Sequence, residues 1–184
     1  MKLQQKTRKV KNRRPRSAAV VDFDNTLFFT DECTIMAARD IYGRRMQIKE
    51  IRSLPKPEKH KIYRLGFVKY HGKSKPNAPM ISRLKKSGAE RILLTARSKE
   101  DSETIMSLIA SSGLEFNRLI FRPKKYLFGH DEEWKLGVLD SILQRYDEIE
   151  FYEDKMENIL YIMKRLGSSN INYFRVSGAS IKKV

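Results

Sequence analysis

Five short apolar segments alternate with longer stretches of helical periodicity along this chain. The first four are apolar clusters, which is typical of strands buried on both faces of a sheet. Strands that alternate with helices predict a parallel sheet with helices packed on its faces. We therefore expect an α/β fold: a Rossmann-like parallel five-stranded sheet flanked by helices. The predicted strands are residues 17–22, 91–95, 118–121, 148–152 and 171–175.

The interval between the first two predicted strands is much longer than a usual crossover connection. It predicts a small, mostly helical cap, inserted after the first strand at about residues 28–76, in which residues 58–70 form a basic helix. The domain prediction is therefore a flexible basic arm at residues 1–16, followed by one domain at residues 17–184 that contains the cap.

Positive charge dominates the composition, because 38 Lys and Arg face 22 Asp and Glu, for a net charge of +16. Half of the excess lies in residues 1–16, which carry eight cationic side chains and no acid. A basic arm on a basic domain favours a polyanionic partner such as RNA or DNA. A solvated, disordered tail is the alternative interpretation of the arm.

Two further properties concern the compartment. No stretch approaches the length of about 18 apolar residues that a membrane span requires, so we expect no membrane association. The single cysteine, Cys33, has no partner for an internal disulfide, which favours a reducing compartment. The prediction is a cytoplasmic protein, with an organelle or the nucleus as open alternatives.

Two carboxylates follow the first apolar strand directly, in the segment Val21-Asp22-Phe23-Asp24-Asn25. Strand alternation directs Asp22 and Asp24 to the same side, with Phe23 on the other. Two anionic groups at the end of a buried strand repel each other and lose hydration. Their placement therefore predicts a bound cation or a catalytic role.

Three further signals occur near predicted strand ends or at the head of a helix. Thr95 ends the second strand and precedes Ala96 and Arg97, Lys135 lies at the head of a helix, and Glu153 and Asp154 end the fourth strand. The carboxyl ends of parallel strands are where such sheets build their sites. Together with the first segment, these signals resemble the four motifs of the haloacid dehalogenase superfamily over about residues 17–166.

The resemblance implies a role for each matching residue. Asp22 is the expected nucleophile, which forms an aspartyl-phosphate, and Asp24 is the expected general acid and base. Phosphate binding would fall to Thr95, Ala96 and Lys135. The expected cofactor is Mg²⁺, with ligands from Asp22, Asp24 through its backbone carbonyl, Glu153 and Asp154.

Three of these assignments have alternatives. Lys124 or Lys125 could supply the cation in place of Lys135, and Thr95 could simply bond its own backbone. Between the paired acids, we favour Asp154 over Glu153 as the principal metal ligand.

The sequence therefore predicts a hydrolase, a Mg²⁺-dependent phosphatase of phosphate monoesters. Nucleotides or nucleic-acid ends are the expected substrates, because the chain is basic and its carboxyl half resembles the branch found in RNA-repair proteins. Transfer to an acceptor other than water is not distinguished from hydrolysis. The alternative function is a catalytically idle, RNA-binding scaffold in a ribonucleoprotein, held by the arm and by basic and aromatic residues of the cap. The oligomeric state is not predicted.

Overall fold

The computed structural model describes residues 16–124 and 130–184, so the predicted arm lies outside the described residues except for Arg16. The strands are β1 (Ser17–Val21), β2 (Phe28–Phe29), β3 (Lys75–Pro76), β4 (Glu90–Ser98), β5 (Arg118–Arg122), β6 (Glu148–Glu153), β7 (Ile171–Ser177) and β8 (Ser180–Lys183). The α-helices are α1 (Asp31–Tyr42), α2 (Ile48–Ser53), α3 (Lys56–Tyr70), α4 (Ala78–Lys86), α5 (Ser102–Ser111), α6 (Asp131–Leu143) and α7 (Met156–Leu166).

The main sheet has the order β5-β4-β1-β6-β7-β8, and its first five strands are parallel. These five are the predicted strands, and the predicted α/β class is confirmed. The chain runs from β1 to one side of the sheet and later returns to the other side, so β1 is the point where the strand order reverses. Ligands of open α/β sheets bind outside the carboxyl ends of the strands at such a point.

The predicted strand count was too low, since the sheet has six strands. The sixth, β8, pairs antiparallel with β7 through a tight turn from Ser177 to Ser180. Gly178 lies in that turn with a φ of 57°, in the left-handed region that glycine adopts without strain. β8 has only one apolar residue, Ile181, and this explains why an apolar pattern did not predict it.

Both faces of the sheet are buried, as the apolar strands predicted. Along β1 the alternation sends Ala19 and Val21 into one core cluster and Ala18 and Val20 into the other. Helices α4 and α5 contribute to the first cluster, and helices α6 and α7 to the second. The sheet therefore holds its strand ends rigidly between two pairs of helices.

The cap, residues 28–76, leaves the sheet through a short stem in which β2 pairs antiparallel with β3. Helices α1, α2 and α3 share a separate apolar cluster that includes Ala37, Ile51 and Ile62. Cys33 is buried in the cap, 3.4 Å from the Ser74 hydroxyl. The predicted small, mostly helical cap is confirmed, while the division of the chain at residue 16 stays a prediction.

Within residues 16–124 and 130–184, none of the helices has the length and apolar character needed to cross a bilayer.

Candidate active site

The predicted site residues from three strands meet at one edge of the sheet. Asp22 directly follows β1, Thr95 lies in β4, and Glu153 ends β6. Because β4 and β6 are the two neighbours of β1, their carboxyl ends bring these side chains together. All three side chains are buried, with at most 4% of the residue surface exposed. A polar cluster this deep needs internal partners.

Lys135 lies between two carboxylates and supplies that partner. Its Nζ donates to Asp22 Oδ1 and to Glu153 Oε2, at 2.6 Å each, and Lys135 is 2% exposed. Burial alone would lower the pKa of Lys135, but Asp22 and Glu153 together raise it well above its ordinary value. The residue stays charged, and the position at the head of helix α6 directs its ammonium into the site.

The acids around Lys135 form a compact cluster. Carboxylate oxygens of Asp22, Glu153 and Asp154 lie within 4.8 Å of one another. Burial raises the pKa of Asp22 to about 7, against the opposing effect of Lys135. Burial and the charges of Asp22 and Glu153 raise the pKa of Asp154 to about 9. If all three acids were ionised, the cluster would carry more negative charge than one lysine compensates.

Such a cluster fits a hard divalent cation. Mg²⁺ prefers carboxylate oxygens and water, and it is held by one or two carboxylates in phosphate-handling sites. Of the two paired acids, Glu153 is already engaged, since Oε2 accepts from Lys135 and Oε1 accepts the backbone N–H of Lys155 at 3.2 Å. Asp154 makes neither of these two contacts, and its role as the principal ligand stays a prediction.

Asp24 occupies a different environment, although it lies only two residues from Asp22. Arg97 grips its carboxylate with two parallel bonds, Nε to Oδ2 at 2.8 Å and Nη2 to Oδ1 at 2.7 Å. Burial would raise the pKa of Asp24, but Arg97 outweighs burial and holds it well below its usual range. Asp24 is therefore a fixed anion in this structure.

Arg97 also connects the site to the cap. Its Nη2 lies 3.3 Å from His71 Nε2, and its guanidinium lies 5.1 Å from the ring centre of Phe67, which packs beside His71. His71 is 1% exposed, and burial, helped by Arg97, lowers its pKa to about 4. Sequence reasoning gave Arg97 and His71 no role. The available signal was the spacing of Arg97, two residues after Thr95 on one strand.

Thr95 lies where β4 departs from regular pairing. The register with β5 shifts between Thr95 and Ser98, which leaves Ala96 and Arg97 without partners in that ladder. The Thr95 hydroxyl accepts the backbone N–H of Arg97 at 3.2 Å, which is the self-bonding alternative that the sequence left open. Because that bond uses the oxygen as acceptor, the hydroxyl proton can still be donated to a ligand.

The chain aligns over most of its length with solved structures of haloacid dehalogenase-like proteins. A haloacid dehalogenase-like family hydrolase from Streptococcus pneumoniae aligns with a TM-score of 0.57 and 11% identity, over 86% of this chain and 83% of that chain. The chain has the haloacid dehalogenase fold. A superfamily hydrolase from Geobacter sulfurreducens aligns with a TM-score of 0.52 and 13% identity, over 89% of each chain.

A third structure, the Pnkp1/Rnl/Hen1 complex, aligns with a TM-score of 0.58 and 16% identity. The alignment covers 88% of this chain but 45% of that one. No protein-family profile and no curated protein sequence matches the chain. At these identities the structural matches establish the haloacid dehalogenase fold, and the roles of individual residues rest on the geometry of the site.

A second layer of ion pairs lies around the cluster of acids. Asp131, at the start of α6, accepts from Lys155 at 2.9 Å and pairs with Arg122 at the end of β5. Lys124, one alternative to Lys135, pairs instead with Glu100 and has a side chain that is 75% exposed. Lys125, the other alternative, lies outside the described residues. Among the described residues, Lys135 is the lysine that contacts both Asp22 and Glu153.

Two asparagines fix the loop that carries the acids. Asn25 has a φ of 56°, and its Oδ1 accepts the backbone N–H groups of Thr30 and Asp31 at 3.0 and 3.2 Å. Asn77 is fully buried and donates from Nδ2 to the carbonyls of Thr26 and Gly178, at 3.0 and 2.9 Å. The loop after β1 is thus tied to the cap on one side and to the β7–β8 turn on the other.

Proposed function

We propose that the protein is a Mg²⁺-dependent phosphatase that acts on phosphate monoesters through an aspartyl-phosphate on Asp22. The observation that carries the proposal is the contact of Asp22 with Lys135 inside a buried cluster of three acids. A solvated surface has no such cluster, and a structural core has no need of one. The described residues fit a magnesium ion held by Asp22, Glu153 and Asp154, which would neutralise charge on the phosphate and the nucleophile.

The residues of the chain divide the reaction into two displacements. In the first, an oxygen of Asp22 attacks phosphorus, the ester P–O bond breaks, and the leaving alkoxide takes a proton from Asp24. In the second, Asp24 removes a proton from water, the water attacks phosphorus, and the bond to Asp22 breaks, which releases phosphate. Lys135 and Thr95 stabilise the charge on the transferring group.

The bidentate ion pair between Arg97 and Asp24 affects the protonation of Asp24 during this reaction. The paired, ionised Asp24 is the form that accepts a proton in the second displacement, whereas the first needs the protonated form. A substrate phosphate offers Arg97 a competing anion, since a guanidinium binds phosphate and carboxylate equally well in two-pronged geometry. Substrate binding would then release Asp24 to take up the proton.

Nucleotides or the phosphorylated ends of nucleic acids are the proposed substrates. Support comes from the net charge of +16 and from the cations Arg97, Arg122 and Lys155 around the acids. The resemblance of the carboxyl half to RNA-repair proteins points the same way. We place the protein in the cytoplasm, consistent with a single, buried cysteine, and assign it no membrane partner.

The test is phosphate release with Mg²⁺ from a panel of nucleotides, sugar phosphates and phosphate-ended oligonucleotides. Replacement of the nucleophile in Asp22→Asn should lower kcat by at least about 1,000-fold, because the covalent intermediate no longer forms. The matched control is Asp140→Asn, which removes an exposed carboxylate from α6 and should leave kcat unchanged.

Two results would contradict the proposal. One is a complete lack of turnover on the panel with RNA binding that is tight and indifferent to Asp22→Asn, which is the behaviour of an idle scaffold. The other is equal activity of Asp22→Asn and Asp140→Asn. Trapping the intermediate on Asp22 and offering alcohols as acceptors would separate hydrolysis from transfer.

A further inference from the structure

A groove lies on the far side of the domain from the acids, between strand β5 and helix α6. It has a volume of about 280 Å³ and is lined by Arg118, Ile120, Gly137, Val138, Ser141, Ile142 and Arg145. Arg118 pairs in register with Ile92, near the amino end of β4, and Arg145 follows the carboxyl end of α6. The groove therefore opens toward the amino ends of the strands, whereas the candidate active site lies at the carboxyl ends.

Two arginines border this groove without strong partners. Within the part of the chain that the structure describes, neither the Arg118 nor the Arg145 side chain makes a hydrogen bond or an ion pair. The charge of Arg118 contributes to lowering the pKa of Glu90. The carboxylate of Glu90, however, already accepts hydrogen bonds from Arg16 and Tyr146. An arginine binds a carboxylate or phosphate best in bidentate geometry, in which two of its N–H groups donate to two oxygens of the anion. The guanidinium groups of Arg118 and Arg145 can therefore bind an anion at the groove.

Gly137 is the lining residue of the groove that has no side chain. It lies inside helix α6, where glycine destabilises a helix relative to alanine. No close packing requires it, because a Cβ added at this position meets nothing within 4 Å. The missing side chain leaves open space above an apolar floor formed by Ile120, Val138 and Ile142.

We propose that this groove binds a single-stranded polynucleotide, with backbone phosphates on Arg118 and Arg145 and one unstacked base in the slot over Gly137. A flat, uncharged base suits the apolar floor, and bases also stack on guanidinium planes. The net charge of +16 also favours a polyanionic ligand of this kind.

The test measures binding rather than turnover. A fluorescent oligouridylate of about 12 nucleotides is titrated with the full chain, in EDTA, between about 50 and 200 mM NaCl. Arg118→Ala with Arg145→Ala should weaken binding about fivefold or more and reduce the slope of log K against log salt by about 1.4, since each phosphate contact on a single strand contributes about 0.7. Removal of two exposed charges elsewhere, in Lys86→Ala with Lys164→Ala, is the matched control.

A second variant tests the shape of the groove without changing its charge. Gly137→Met fills the slot and should weaken binding while the salt slope stays unchanged. Gly137→Ala, which should fold at least as well as the natural chain, covers the case in which methionine disturbs α6.

The proposal fails if the arginine variant and both Gly137 variants bind like the lysine control. It also fails if polyglutamate of equal charge displaces the oligonucleotide from the natural chain as well as unlabelled oligouridylate does. The groove does not depend on the phosphatase proposal, because binding is measured without Mg²⁺ and phosphate release from a mononucleotide is measured separately.

Discussion

Asp22 and Asp24 are separated by one residue, yet the fold gives their carboxylates different surroundings. Asp22 lies among other acids and shares one lysine with Glu153. Asp24 has an arginine to itself, in a two-pronged pair. Burial affects both, and it raises the pKa of Asp22 to about 7, whereas Arg97 keeps the pKa of Asp24 low.

Residues close together in the chain can therefore have different electrostatic environments. Asp22 is under-compensated and is suited to receive a further cation, while Asp24 is fully compensated and is suited to change partners. A nucleophile reacts in its ionised form and a general acid in its protonated form, so the proposed roles require a cation beside Asp22 to favour ionisation and the release of Asp24 from Arg97 before it is protonated. The experiments below change one side of this comparison at a time.

The largest effect is expected for Lys135→Met, which removes the cation that Asp22 and Glu153 share. Two buried carboxylates would lose their partner, and breaking a buried pair in this way destabilises a protein by about 3–5 kcal/mol. The free energy of unfolding from urea titration in EDTA measures the loss. Lys164→Met, at an exposed site, should have little effect, and equal stability of the two variants would contradict the proposed arrangement.

A smaller loss is expected for Asp24→Asn, which leaves Arg97 buried without its carboxylate. The side chain of Asp24 is 27% exposed, so we expect the free energy of unfolding to fall by about 2–3 kcal/mol, less than for a fully buried pair.

Asp22→Asn should instead raise the free energy of unfolding in EDTA above pH 4. The pKa of Asp22 is raised on folding, so its ionised form is disfavoured in the folded state once the unfolded chain has lost that proton.

Urea titrations of the two asparagine variants at pH 7 check this opposition directly. Destabilisation of similar size in both would mean that the two carboxylates have equivalent surroundings. Asp140→Asn again provides the reference for loss of a surface charge.

The smallest effect concerns His71, beside Arg97. Its pKa is about 4 in the folded protein, lowered from 6.5 first by burial and then by Arg97. As pH falls through about 6.5 toward 4, the unfolded chain takes up the proton first, so stability falls. His71→Gln should reduce that loss by about 1–2 kcal/mol between pH 6.5 and 4.5.

Thermal unfolding across this pH range measures the difference. His130→Gln, at a histidine with a side chain that is 74% exposed, is the matched control for the loss of an imidazole. If the stability of His71→Gln changed with pH in the same way as that of the natural protein, burial would not lower the pKa of His71.

Much of the fold followed from patterns that the sequence states directly. Apolar clusters at β1, β4, β5 and β6 predicted buried parallel strands because both faces of those strands contact helices. The strand β8 was missed because an edge strand has one partner and needs little apolar character. The turn at Ser177-Gly178 was the signal that a hairpin followed.

The candidate site divides in a similar way. The carboxylates at the strand ends and the lysine in the first turns of α6 could be recognised from the sequence, since charged groups are rare in buried positions without a partner or a role. The roles assigned to Asp22, Asp24, Thr95, Ala96, Lys135, Glu153 and Asp154 stay predictions until they are tested. The pairing of Asp24 with Arg97 depends on the register shift at the end of β4, and the contact of Arg97 with His71 depends on how the cap packs on the sheet. That packing brings together residues far apart in the chain, which local spacing does not encode.

The cap is fastened to the sheet at both of its ends. Near its start, Asn25 holds the first turn of α1, and near its end His71 lies against Arg97 while Asn77 ties the stem to the β7–β8 turn. A cap anchored at both ends cannot separate from the sheet by rotation about one hinge. Separation at its carboxyl-terminal end requires the contact between His71 and Arg97 to break, so the arginine that holds Asp24 is also one of the anchors of the cap.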